Sequence, residues 1–142
     1  MRLPAARCNA RPQNFDQVVG GNQFVLVYFY APWCRFCKAL TPEYAAAAAQ
    51  LAVLGNKAVL AKVDAASTEG GRRLGARFNV TGFPTLIWFV NGNPQPYTQN
   101  PGGQQDRFDI VFWVVQQTDD VTKSLTEQVF VLFNPFTLEL AF

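Results

Sequence analysis

"FYAPWCRFCK", residues 29–38, carries two cysteines two residues apart. Such a pair closes a structural staple, grips a metal, or cycles between dithiol and disulfide, and the rest of the chain decides among these. There are only three cysteines, Cys8, Cys34 and Cys37, and no histidine. A disulfide scaffold calls for an even set of cysteines in a small, loop-rich chain, which this is not. A closed zinc site would need a carboxylate as its fourth ligand, and the histidines that complete most catalytic zinc sites are missing. Without histidine, Ser-His-Asp and Cys-His catalysis within the chain are excluded as well. Redox cycling is the reading that survives.

The surroundings of the pair place it at a strand–helix junction. Before it, "FVLVYFY" (24–30) is a continuous apolar, aromatic and β-branched run, which suits a strand buried on both faces. After it, residues 33–54 are rich in Ala and Leu and stop at Gly55, which predicts a helix; Pro42 inside it predicts a kink. Cys34 then falls in the first turn, where unpaired N–H groups and the helix dipole favour an anion. That makes Cys34 the attacking thiolate. Cys37, three residues on, shares its helical face, so it is placed to attack a mixed disulfide at Cys34 and release the partner. Trp33 shapes the lip of the site.

Outward from the junction, "QNFDQVVGG" (13–21) predicts a short helix with Asn14 and Gln17 as a capping box. "AVLAKVD" (58–64) predicts a strand, and "STEGGRRLGARF" (67–78) a weaker helix capped by Ser67 or Thr68 and diluted by three glycines. "PTLIWFV" (84–90), "NGN" (91–93) and "PYTQ" (96–99) predict a hairpin on an Asn-Gly turn. "QQDRFDIVFWVVQQT" (104–118) sets Phe108, Val111, Phe112 and Val115 at helical spacing, an amphipathic helix. The fold class that follows is α/β: a central mixed sheet, with a right-handed parallel crossover and a late antiparallel hairpin, flanked by helices on both faces. In "TGFPT" (81–85), Pro84 opens a strand after Gly82-Phe83 and is a candidate cis peptide as well as an ordinary strand-edge proline. Opposite the cysteines, it would keep a sheet edge open for an extended substrate.

Composition bounds the rest. The chain has 142 residues, 49% of them hydrophobic, and a net charge of +2 with both signs scattered. One ordinary domain with a real core fits this length, and the lack of a basic stripe argues against a nucleic-acid partner. The longest apolar runs, 24–30 and 129–133, are far shorter than the roughly 20 residues of a membrane span. "MRLPAARCNARPQ" (1–13) has no apolar core of a signal peptide, and "LELAF" at the end matches no retention signal. We expect three regions: a poorly defined segment over 1–13, the domain over 14–118, and a linker with an apolar tail over 119–142. That tail reads equally as the start of a further domain, an extra strand, or a cover for the sheet.

Together, "NFDQVVGGNQFVLVYFYAPWCRFCKALTPEYAAAAAQLA", "AKVDA" and "FNVTGFPTLIWFVNGNPQPYT" resemble the catalytic, thioredoxin-fold domain of the protein disulfide isomerase family, over about residues 14–117. The resemblance implies a cis peptide at Pro84, Cys34 as nucleophile, and Cys37 as resolver. It implies action on thiols and disulfides of proteins or peptides in the endoplasmic reticulum lumen, with glutathione or an upstream oxidase as redox partner. It implies no cofactor beyond the Cys34–Cys37 disulfide itself. Apolar client contact falls to Trp33, Phe36 and Phe83, and backbone contact to Pro84.

The chain departs from the family in several places. Gly-His between the cysteines is replaced by Arg35-Phe36. A protonated histidine there stabilises the thiolate and makes the disulfide more oxidising; Phe36 cannot, and Arg35 compensates only if it folds back over the sulfur. The family's buried glutamate, which works with the lysine matching Lys62, is replaced by Tyr28. Tyr28 titrates too high to carry that proton and reads first as core packing, while Lys62 needs another acceptor or must snorkel. The family's arginine near the last helix has no clean match, with Arg107 and Gln105 both nearby. The first strand looks poor, and Cys8 within it reads as a free thiol. Cys-Arg-Phe is also similar to a retention-type relative whose second cysteine is serine, so a slow, thiol-dependent client-binding module is the alternative function. Finally, Asn79-Val80-Thr81 is a glycosylation sequon, expected to be unused because a glycan there would crowd Pro84.

Overall fold

The computed structural model describes residues 8–9, 13–98 and 104–118. The expected terminal segments, apart from 8–9 and 13, and residues 99–103 before the last helix lie outside these. The elements are β1 (Cys8–Asn9), α1 (Phe15–Gly20), β2 (Phe24–Tyr30), α2 (Arg35–Val53), β3 (Val59–Asp64), α3 (Glu69–Arg77), β4 (Thr85–Val90), β5 (Asn93–Pro96) and α4 (Arg107–Gln117). They form one mixed sheet in the order β1-β3-β2-β4-β5. β2 pairs in parallel with β3 and antiparallel with β4. Its uninterrupted apolar run is therefore explained by its central position: Val25 to Phe29 are all buried.

Alternation along β2 divides the core in two. Leu26 and Tyr28 face one side, with Leu60, Trp88, Leu40, Tyr44, Leu51, Ile110 and Trp113 from the neighbouring strands and from α2 and α4. Val25, Val27 and Phe29 face the other, with Phe15, Val19 and Leu74 from α1 and α3. The expected α/β fold with helices on both faces is what the chain adopts. α2 ends as its sequence suggests. Gly55 takes φ +70°, its N–H bonds Ala52, and the Asn56 N–H bonds Leu51, a Schellman closure. The helix runs on through Pro42, whose missing N–H removes one rung of the ladder.

Four local expectations are corrected. The strand expected over 96–99 lies instead at Asn93–Pro96. Asn91 and Gly92 both have positive φ, the pattern of a two-residue I′ turn, so Asn93 pairs at once with Val90. As an edge strand, β5 tolerates Pro94 and Pro96. Tyr97 leaves the sheet to pack its ring, tilted by 57°, against Trp113, centroids 4.6 Å apart. The capping box expected at Asn14 is absent, because Asn14 has ψ near 1° and its side chain makes no cap bond. A capping box does form at α4, between Asp106 and Asp109. The apolar stripe read on α4 faces outward at Phe108 and Phe112, both more than 60% exposed; Ile110, Trp113 and Val114 fill the core. Lastly, the first strand exists, as two residues paired in parallel with Ala61 and Lys62 of β3. The Cys8 side chain is outside the described ones.

Two of the three glycines of α3 have a packing reason. A Cβ at Gly71 would stand 2.2 Å from the Asp64 carbonyl oxygen, and one at Gly75 would stand 3.3 Å from the Ala65 Cβ. α3 thus lies directly on the turn that follows β3. Gly71→Ala gains helix propensity yet must push backbone aside, so we expect a net loss of about 1–3 kcal/mol, read as a lower urea midpoint at unchanged m-value.

Candidate active site

The turn "APWC" delivers the chain from β2 to α2. The Cys34 N–H bonds the Ala31 carbonyl at 3.1 Å, and the Lys38 N–H bonds the Cys34 carbonyl at 3.1 Å, which opens the helix. Cys34 is the N-cap, extended at φ −76° and ψ 121°. A serine or aspartate usually supplies an oxygen there; here the Cys34 Sγ accepts the Cys37 N–H at 3.2 Å. The Cys34 sulfur thus accepts one backbone N–H at the positive end of the helix dipole. Both cysteines are unpaired and buried. Burial pushes the Cys37 thiol above its ordinary range, and the Cys34 sulfur adds to this; the Ala31 backbone and the Tyr28 hydroxyl oppose it.

Around these sulfurs the structure assembles most of the expected residues. Trp33 and Phe36 flank Cys34 and are 71% and 66% exposed. Two large apolar rings left in water beside a buried thiol form a sticky rim. The Phe83–Pro84 peptide is cis. The Trp33 and Phe83 rings meet edge to face, centroids 5.9 Å apart, so the cysteine loop and the proline loop form one surface although about fifty residues separate them in sequence. Thr85 bonds back to the Gly82 carbonyl at 2.7 Å and secures the turn before β4.

Other candidates fall elsewhere. Arg35 is exposed, and among the described residues it bonds neither sulfur. Lys62 stands beside Tyr28 in the sheet register and places its Nζ 5.9 Å from the Tyr30 ring centroid, a cation–π contact. Arg107 forks onto Glu43 at 2.8–2.9 Å and ties α4 to α2, while Gln105 accepts from the Tyr97 hydroxyl. The sequon residues Asn79 and Thr81 are exposed.

Tyr28 is core, as its apolar neighbours suggested, and it is more than core. It is fully buried, yet its hydroxyl donates to the Cys37 carbonyl at 2.9 Å. Thr41 donates to the same carbonyl at 2.8 Å and lies 3.3 Å from the Tyr28 oxygen. Burial raises the Tyr28 hydroxyl well above the ordinary phenol range, so it stays a neutral donor. Thr41 was not among the sequence candidates. Its signal was a hydroxyl four residues after Cys37, the spacing at which threonine bonds back to a helix carbonyl. Beneath these, Tyr44 shares its hydroxyl hydrogen between the Leu26 and Ala61 carbonyls at 2.6 and 2.8 Å.

Comparison with known proteins agrees with this geometry. The family profile described as Thioredoxin matches residues 7–115. A protein disulfide-isomerase of Drosophila melanogaster is 49% identical over 117 residues, covering 82% of this chain and 22% of that protein. The chain thus spans about a fifth of the length of the curated relatives it matches. Among solved structures, the first thioredoxin domain of mouse protein disulfide-isomerase A4 is 30% identical with a TM-score of 0.65, covering 84% of this chain and 81% of that domain. A variant thioredoxin from Halobacterium salinarum is 27% identical with a TM-score of 0.69, covering 85% of this chain and 98% of that one. By the profile match over most of its length, its cysteine pair at the head of α2 and its sheet order, the chain belongs to the thioredoxin family, with protein disulfide-isomerases as its similar relatives.

Proposed function

We propose that this domain is a thiol–disulfide oxidoreductase acting on protein cysteines, with Cys34 as nucleophile and Cys37 as resolver. The observation that carries the reading is the Cys37 N–H held on the Cys34 sulfur at the N-cap of α2. The Cys34 thiolate attacks a client disulfide, forming one S–S bond and expelling one client thiolate. Cys37 loses its proton to solvent and attacks Cys34; the Cys34–client bond breaks and its electron pair leaves on the second client sulfur. The client is then reduced by two electrons and the pair is oxidised. The reverse sequence passes the disulfide to a client dithiol, after which oxidised glutathione or an upstream oxidase takes two electrons from the pair and restores its disulfide. Clients are extended or unfolded segments gripped by Trp33, Phe36 and Phe83, with backbone contacts at Pro84. The similarity to protein disulfide-isomerases supports a place in the endoplasmic reticulum lumen.

The pair of residues between the cysteines favours keeping the alternative reading, a client-holding module with slow redox chemistry, in view. Turnover of a self-quenched peptide disulfide in glutathione separates the two. An oxidoreductase converts many equivalents of substrate per protein. A holding module consumes one equivalent and stalls.

A further inference from the structure

Resting on the oxidoreductase reading, one buried group is left without a role: the neutral hydroxyl of Tyr28. Its ring fills the core against Tyr30 and Tyr44, with centroids 5.5 and 5.1 Å away. Phenylalanine would fill that space as well, so packing does not explain the hydroxyl. What explains it is the company it keeps. The Cys37 carbonyl has two hydroxyl donors, Tyr28 and Thr41, and either one satisfies it. Tyr28 is therefore able to release the carbonyl without leaving a buried acceptor unpaired.

We propose that Tyr28 is the hydrogen-bond donor to the resolving thiolate: as Cys37 ionises to attack the mixed disulfide, the Tyr28 hydroxyl turns from the Cys37 carbonyl to the Cys37 sulfur while Thr41 keeps the carbonyl satisfied. The phenol retains its proton throughout, and the thiol proton goes to solvent. Other charged or titratable groups at this place are few. Cys34 shares the first turn of α2, Tyr44 comes from the same helix, and Tyr30 lies on β2. Lys62 is beside Tyr28 on β3, the β4 residue opposite is Leu86, and Arg107 of α4 is engaged by Glu43. None of these supplies a carboxylate to the buried side. The downward pull of the Tyr28 hydroxyl on the Cys37 thiol agrees with this role. The proton relay of a buried acid is thus replaced here by stabilisation of the anion in place.

The test follows one turnover in two stages. Oxidised glutathione is mixed with the reduced protein; formation of the Cys34–glutathione disulfide and its release by Cys37 are timed separately from pH 6 to 10. Release needs the Cys37 thiolate, so its rate rises with pH to a midpoint. Losing a hydrogen bond to a buried anion in Tyr28→Phe should slow release about tenfold at neutral pH and raise that midpoint by about one unit, with formation unchanged. An unchanged midpoint and release rate overturn the inference while leaving the oxidoreductase reading intact. Failure of the wild-type protein to form the mixed disulfide removes both. Should Tyr28→Phe not fold, Thr41→Val reads the same exchange from the other side. With only one donor left for the carbonyl, Tyr28 cannot turn, and release slows; release at the wild-type rate overturns the inference.

Discussion

Cys34→Ser abolishes turnover. Serine keeps the N-cap, since its oxygen accepts the Cys37 N–H as readily as sulfur does, so helix α2 and the core beneath it are retained. The hydroxyl, however, is not ionised near neutral pH and cannot form the mixed disulfide. Cys37 does not substitute for it: it is only 2% exposed, and burial raises its thiol. We expect reduction of a peptide disulfide to fall by on the order of 10³-fold or more, to the rate of the uncatalysed exchange, with the melting curve nearly unchanged. Substantial remaining turnover, traced to Cys37 by alkylation mapping, would reverse the assignment of the two cysteines.

Cys37→Ser leaves the first step intact and removes the exit. Attack by Cys37 on its own mixed disulfide is intramolecular, with an effective concentration far above any millimolar external thiol. Losing it slows escape by on the order of 10²-fold or more. Client–protein adducts should then accumulate, visible as reductant-sensitive bands on a non-reducing gel, and added glutathione should clear them slowly. Cys37 gives its N–H to the Cys34 sulfur in the structure, and the proposed reaction also asks its thiol for the second step. The substitution separates them, because the N–H remains. An adduct-free gel would remove Cys37 from the role of resolver.

Much of this was legible in the sequence, and the parts that were not share a cause. The β2 run, the cysteine pair and the Asn-Gly turn each state their structure within a few residues, by apolar continuity, spacing and positive φ. Local rules misled where the deciding contact is remote. β1 is short and proline-flanked, and it exists because its backbone finds the free edge of β3. β5 begins three residues early because the I′ turn sets its register. On α4 two apolar stripes compete at helical spacing, and the stripe that meets Trp88 and Tyr97 wins through Trp113. The capping box at Asp106 escaped notice because its partner is Asp109, where the rule looks for Glu or Gln. The role of Tyr28 was the least legible: a tyrosine in an aromatic strand announces packing, and only the fold shows that its hydroxyl ends on Cys37.

The electrostatics of the site set an expectation for its direction of use. Nothing between the cysteines supplies a histidine, and Arg35 is exposed without a hydrogen bond to Cys34 among the described residues. With less to stabilise the thiolate, the disulfide is the weaker oxidant. The potential should lie nearer the roughly −270 mV of thioredoxin than the roughly −180 mV of disulfide isomerases. The most direct test equilibrates the protein with graded glutathione buffers, or with a lower-potential dithiol couple where glutathione saturates. Free thiols are then alkylated and the peptide containing Cys34 and Cys37 is weighed. A reversible two-electron transition confined to that peptide is expected, with its midpoint at the reducing end of this range. A peptide that stays fully alkylated at every ratio would contradict it, since the pair would then not cycle at all.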